Sequence, residues 1–216
     1  MSTIKKIVSG ILAGILISLG GTVLLKVNAL AAADSPAKPF ATVMGAIFFA
    51  IALLCICIKG FSLFTGKICY IPEKHDKEAF SILLLGLLGN LIGTFVCGKL
   101  MIYADPSLVT AAETMCSGKL ANQLPLQTFI RAIFCGVIIY LAVDIFRKKD
   151  RLVAILFGIP VFILSAYEHS IADMYYFAAS NIVSWQAFGF IWIVIAGNSV
   201  GGMLLPLLEM IGKKEK

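Results

Sequence analysis

Charge is what this sequence has least of. Only 14% of its 216 residues are Asp, Glu, Lys or Arg, against about a quarter in an ordinary soluble domain. So few ionic groups cannot cover a water-facing surface, which excludes a conventional soluble protein. Histidine occurs only twice, so any imidazole chemistry rests on His75 or His169. Cysteine is not scarce, yet Cys55, Cys57, Cys69, Cys97, Cys116 and Cys135 stand mostly within apolar runs, and the Cys55-x-Cys57 spacing points two thiols to different helix faces. No metal or disulfide framework is expected from that pattern; the thiols read as small buried hydrophobes.

What the chain does have is hydrophobic residues, 60% of the total, with a mean hydropathy of +0.96. The bilayer is therefore the expected solvent. A spanning helix takes about 20 apolar residues, and apolar stretches run at about 7–25, 40–58, 80–103, 129–146, 152–166 and 185–211. Charged or turn-forming interruptions separate them at 33–36, 73–78, 105–106 and 147–151. The expectation is an all-α integral membrane protein of six transmembrane helices in a single domain, 1–216, with no room for a large soluble domain.

The first stretch, with Lys5 and Lys6 before it and an alanine run after it, imitates a signal peptide, but it is longer than such an apolar core and the repeat described below needs it. The formal charge of +6 would suggest nucleic acid in a soluble chain; in a membrane protein it marks loops, and no nucleic-acid partner is expected. With six spans, twelve Lys and Arg fall on one side: Lys5, Lys6, Lys67, Lys74, Lys77, Arg147, Lys148, Lys149, Arg151, Lys213, Lys214 and Lys216. Lys26, Lys38, Lys99 and Lys119 fall on the other. By the positive-inside rule both termini are expected in the cytoplasm.

Gly89-Asn90-Leu-Ile-Gly93 in the third stretch returns as Gly197-Asn198-Ser-Val-Gly201 in the sixth, 108 residues later and half the chain on. Three spans per half make the second copy inverted, so a 3+3 inverted repeat of about 1–108 and 109–216 is expected. Glycines at i and i+4, with Gly10 and Gly14 as a further pair, read as close helix packing. Asn90 and Asn198 differ, because an amide in hydrocarbon needs partners and can bond the exposed backbone of a broken helix.

The second span of each half, which is the second and fifth of the chain, is interrupted. Lys59-Gly-Phe-Ser-Leu-Phe-Thr-Gly66 carries two glycines, a lysine and two hydroxyls; Tyr167-Glu168-His169-Ser-Ile-Ala-Asp173 carries three ionisable groups. Paired breaks at matching positions point to a transport path, and intramembrane ionisable groups to its polar centre. His75, in a charged loop, reads as a solvated surface residue. Phe162 lies seven residues before His169 on the same helical face, and Phe49 shares a face with Leu53, so apolar rings are expected beside a polar centre.

Leu63-Phe-Thr-Gly66, Gly89-Asn-Leu-Ile-Gly93, Cys135 with Leu141-Ala-Val143, Glu168-His-Ser-Ile-Ala172 and Gly197-Asn-Ser-Val-Gly-Gly202 resemble, in order and over nearly the whole chain, the formate/nitrite transporter family. The resemblance implies an aquaporin-like fold without Asn-Pro-Ala repeats and a homopentamer. It also implies a pore in each protomer for small monovalent anions such as formate, nitrite or hydrosulfide. It makes His169 similar to the family's central histidine and Thr65 to the threonine of its broken second helix. Leu63, Phe64, Phe49, Leu53 and Phe162 are then similar to its constriction residues, and Lys119 to a lysine that attracts anions outside. Two positions depart from the family's usual Asn: Asp173 and Gly136.

A bare anion is costly between apolar walls. The expected mechanism has Lys119 and half-helix N-termini concentrate it, and His169, polarised by Thr65, lend a proton or a strong hydrogen bond. Protons and small anions are thus the expected partners, in the cytoplasmic membrane, with no cofactor. A water or neutral-solute pore is the alternative. An enzyme is not expected: Glu168, His169 and Ser170 are consecutive and cannot converge as a triad on a helix.

Overall fold

The computed structural model describes residues 1–32 and 34–214, the last without its side chain. Ala33 of the first interruption, and the Lys214 side chain and Lys216 of the basic C-terminal cluster, lie outside what is described. The helices are α1 (Thr3–Ala29), α2 (Lys38–Lys59), α3 (Phe64–Lys67), α4 (Lys77–Ala104), α5 (Ser107–Asn122), α6 (Pro125–Lys149), α7 (Val153–Leu164), α8 (Ser170–Ser180) and α9 (Trp185–Lys214), with a 3-10 turn at Ile68–Tyr70. Five of them, α1, α2, α4, α6 and α9, are long and apolar enough to cross a membrane. The 152–166 stretch forms only α7, whose 12 residues are too few to cross alone, and after the interruption at 167–169 the chain resumes helix at α8.

Two tight pairings build the molecule, α1 on α4 and α6 on α9, and glycines set both. A Cβ on Gly89 would sit 2.3 Å from the Ile7 carbonyl oxygen, and one on Gly201 1.9 Å from that of Ile133. Such backbone-to-backbone approach suits a membrane, where no hydrophobic force drives helices together and van der Waals packing has to. Gly136 belongs to the same contact: a Cβ there would lie 2.5 Å from the Asn198 carbonyl oxygen. A glycine at this position therefore lets α6 close directly onto α9.

Helix α5 was not expected. Its Leu108, Ala112 and Cys116 are buried at a four-residue spacing, which anchors one face on the bundle. It carries Lys119 inward. Elsewhere the outer faces stay apolar and exposed, with Leu84, Leu88, Phe95, Phe188 and Trp192 beside one another along α4 and α9, as lipid or a second protein surface requires.

Candidate functional site

Both interruptions adopt the same local structure. Helix α2 ends where Gly60, at φ 69°, turns into the left-handed region; its N–H reaches Cys57 O and that of Phe61 reaches Ile56 O. Helix α7 ends where Ala166, at φ 52°, does the same; its N–H reaches Ile163 O and that of Tyr167 reaches Phe162 O. Each is a Schellman closure. A few extended residues follow, then a short helix beginning at Phe64 or Ser170.

The repeated asparagines hold these short helices. Phe64 N–H donates to Asn90 Oδ1 at 2.9 Å, while Asn90 Nδ2 donates to Gly10 O at 2.8 Å and Ser62 O at 2.9 Å. Ser170 N–H donates to Asn198 Oδ1 at 2.9 Å, while Asn198 Nδ2 donates to Ala132 O at 2.9 Å and Glu168 O at 2.8 Å. Each amide thus satisfies one donor and one acceptor that the broken backbone would otherwise leave bare in hydrocarbon, and its remaining bond goes to a carbonyl of α1 or α6. It also ties the break to the tight helix pair of its own half.

The two breaks meet at Thr65 and His169, 1% and 3% exposed, with Thr65 Oγ1 2.9 Å from His169 Nε2. The tautomer follows from the backbone. His169 caps α8, and its Nδ1 accepts the Ala172 N–H at 3.2 Å, so Nδ1 has no proton. The ring proton then sits on Nε2 and points at Thr65 Oγ1. The threonine, receiving that bond, keeps its own hydroxyl proton to give elsewhere.

Apolar side chains surround this pair. Phe162 stacks on the His169 ring with centroids 5.7 Å apart, and Phe49 meets Phe162 edge-on at 6.2 Å. Phe162 and His169 line a cavity of about 390 Å³ together with Lys119, Gln123, Glu168 and Asp173. Leu53 and Leu63 line a second cavity, of about 260 Å³, with Lys67, Tyr70 and Arg147. Phe64 is buried but belongs to neither wall. The predicted rings are therefore divided: Phe162, with Phe49 against it, on the Lys119 side, and Leu53 and Leu63 on the Lys67 side.

Lys119 is not a free cation. Its ammonium is paired with Glu168 and lies 3.0 Å from Asp173 Oδ1, and Glu168 Oε1 also accepts Gln123 Nε2 at 2.7 Å. The α8 N-terminus is likewise engaged: the Ser170, Ala172 and Asp173 amides bond Asn198, His169 Nδ1 and His169 O, so they do not await an anion. Among the described residues Ser170 Oγ has no hydrogen-bond partner, and the Glu168, His169 and Ser170 side chains form no relay.

Two residues that the sequence presents only as loop charge turn out to face a cavity. Lys67 and Arg147 flank the Lys67 cavity, with the Arg147 guanidinium 4.4 Å from the Tyr70 ring centroid. For Lys67 the signal was available in its place directly after the first break. Arg131 lines the Lys119 cavity, donating to Ala166 O at 3.3 Å.

A bundle of membrane-length helices, with two interrupted segments meeting at a polar pair between two cavities, defines a multi-pass membrane protein of the transporter and channel class. The fold matches solved channels: a protein described as a pentameric formate channel with formate bound superposes with a TM-score of 0.83, at 21% identity, over 99% of this chain and 98% of that one. A protein described as an FNT family ion channel gives 0.82, at 24% identity, over 94% and 87%. The formate/nitrite transporter family model matches residues 1–211, and the chain belongs to that family. Among curated relatives, a probable formate transporter of Methanothermobacter thermautotrophicus is 30% identical over 93% of this chain and 85% of its own length. The nitrite transporter NirC of Escherichia coli (strain K12) is 30% identical over 80% and 67%.

Proposed function

We propose that the chain moves small monovalent anions, formate first and nitrite or hydrosulfide as alternatives, across the cytoplasmic membrane through a pore in each protomer. The observation that carries this reading is the Thr65–His169 pair, buried where the two breaks meet and closed off by Phe162 and Phe49 on one side and Leu53 and Leu63 on the other. An anion reaching this point has left water and needs a donor. The Nε2–H of His169 polarises Thr65, whose hydroxyl proton then offers a strengthened hydrogen bond to the anion. Full proton transfer to the substrate is the stronger form of the same step, because desolvation raises the proton affinity of a carboxylate. Proton coupling is part of the reading for that reason.

In this reading α2 with α3, and α7 with α8, are each one broken crossing, which makes six spans in two inverted halves, aquaporin-like. Both termini lie in the cytoplasm, as the lysine and arginine count supports. Lys67 and Arg147 then stand at the inner mouth and Lys119 with Arg131 at the outer. A homopentamer is supported by the apolar groove of Leu84, Leu88, Phe95, Phe188 and Trp192 and by the described pentameric channel that shares the fold. The test is a flux panel of labelled formate, nitrite, hydrosulfide and lactate in proteoliposomes, with osmotic swelling run beside it. Formate or nitrite entry is expected; rapid swelling with no anion flux would make the chain a neutral-solute pore instead.

A further inference from the structure

Asp173 stands where the resemblance would have a neutral amide, and its surroundings fix its charge. The cluster in the Lys119 cavity brings two carboxyl groups to a single ammonium. Glu168 is fully used as a carboxylate, since one oxygen takes Lys119 and the other takes Gln123 Nε2. Asp173, 1% exposed, has Oδ1 against Lys119; its Oδ2 is buried with no hydrogen-bond partner among the described residues. Ionised, it would leave charge on an oxygen that nothing donates to, next to a carboxylate already holding the same lysine.

The other groups facing it supply no second cation. Cys116 comes from α5, Cys135 from α6, Tyr176 from α8 itself, and His169 from the break with its Nδ1 unprotonated. Arg131 shares the cavity wall but donates to the Ala166 carbonyl, and among the described residues it pairs with neither carboxylate.

We infer that Asp173 is a neutral carboxylic acid in the conducting protein and that it sets the charge of the anion path. This rests on the anion-pathway reading above. With the proton on Oδ2, the Glu168–Lys119 pair is neutral overall and the cluster holds no surplus negative charge against the anion. Without it the Glu168–Lys119–Asp173 cluster carries a net negative charge beside His169, and anions are repelled.

The experiment uses the full chain in proteoliposomes with nitrite as the probe, comparing wild type and Asp173→Asn across pH. Asparagine keeps the shape and cannot titrate. Wild-type influx is expected to fall about tenfold for each pH unit beyond the midpoint of Asp173, and the variant to lose that alkaline fall. Superimposed profiles would overturn the inference. An infrared difference spectrum of wild type minus variant, independent of transport, should contain the C=O stretch of a protonated carboxyl at neutral pH; a carboxylate band in its place would also overturn it. The protonated band in a wild-type protein that moves no nitrite would uphold Asp173 as the acid and count against the anion pathway.

Discussion

Replacing Asn198 by Ala removes three hydrogen bonds at membrane depth in one step: Ser170 N–H to Oδ1, and Nδ2 to the Ala132 and Glu168 carbonyls. Side-chain hydrogen bonds between membrane helices average about 0.6 kcal/mol and reach about 1.7 kcal/mol. Three of them therefore put the expected loss at about 2 to 5 kcal/mol, or about thirtyfold to a few thousandfold in the folding equilibrium. Ser170 N–H and Glu168 O suffer most, because they lie at the open ends of a broken helix. Asn90→Ala should behave alike, since it strips the matching bonds from Phe64, Gly10 and Ser62. Equilibrium unfolding in lipid–detergent micelles measures both. The flux of each variant should fall with its stability, because each asparagine holds one partner of the Thr65–His169 contact. A shift below about 0.5 kcal/mol in either variant would refute the claim that these amides hold the breaks.

Gly201→Ala should prevent α6 and α9 from closing and abolish the folded protein, whereas Gly118→Ala, which meets nothing within 4 Å, should be neutral or add up to about 1 kcal/mol; thermal unfolding separates the two. Ala166→Gly relieves a left-handed alanine and should stabilise by up to about 1 kcal/mol, read in the same assay. Lys67→Ala with Arg147→Ala should raise the KM for nitrite entering from that side and flatten its dependence on ionic strength, as expected when steering charges are lost; an unchanged KM would remove them from the path.

The central polar machinery was legible in the sequence because membrane physics leaves polar residues few excuses. Asn90 and Asn198, offset by half the chain, announced capped breaks, and Glu168, His169 and Asp173 announced a polar centre. Hydropathy was a poorer guide to extent. It counted 152–166 as a span although the helix there, α7, has only 12 residues, too few to cross without the segment beyond the break. It passed over α5, which is only mildly apolar; the four-residue spacing of Leu108, Ala112 and Cys116 was the available signal. The pairing of Lys119 with Glu168, 49 residues away, is tertiary and has no local signature. Lys67 and Arg147 hid for a different reason, being counted with the loop charges that orient the chain.

The account stands most directly on His169, and His169→Asn tests it cleanly because asparagine is a good N-cap and should leave α8 in place. Nitrite influx into proteoliposomes, measured at several pH values, is the readout. The account predicts a folded variant whose influx collapses and whose remaining flux no longer depends on imidazole protonation. Influx and pH dependence equal to those of the wild type would contradict it.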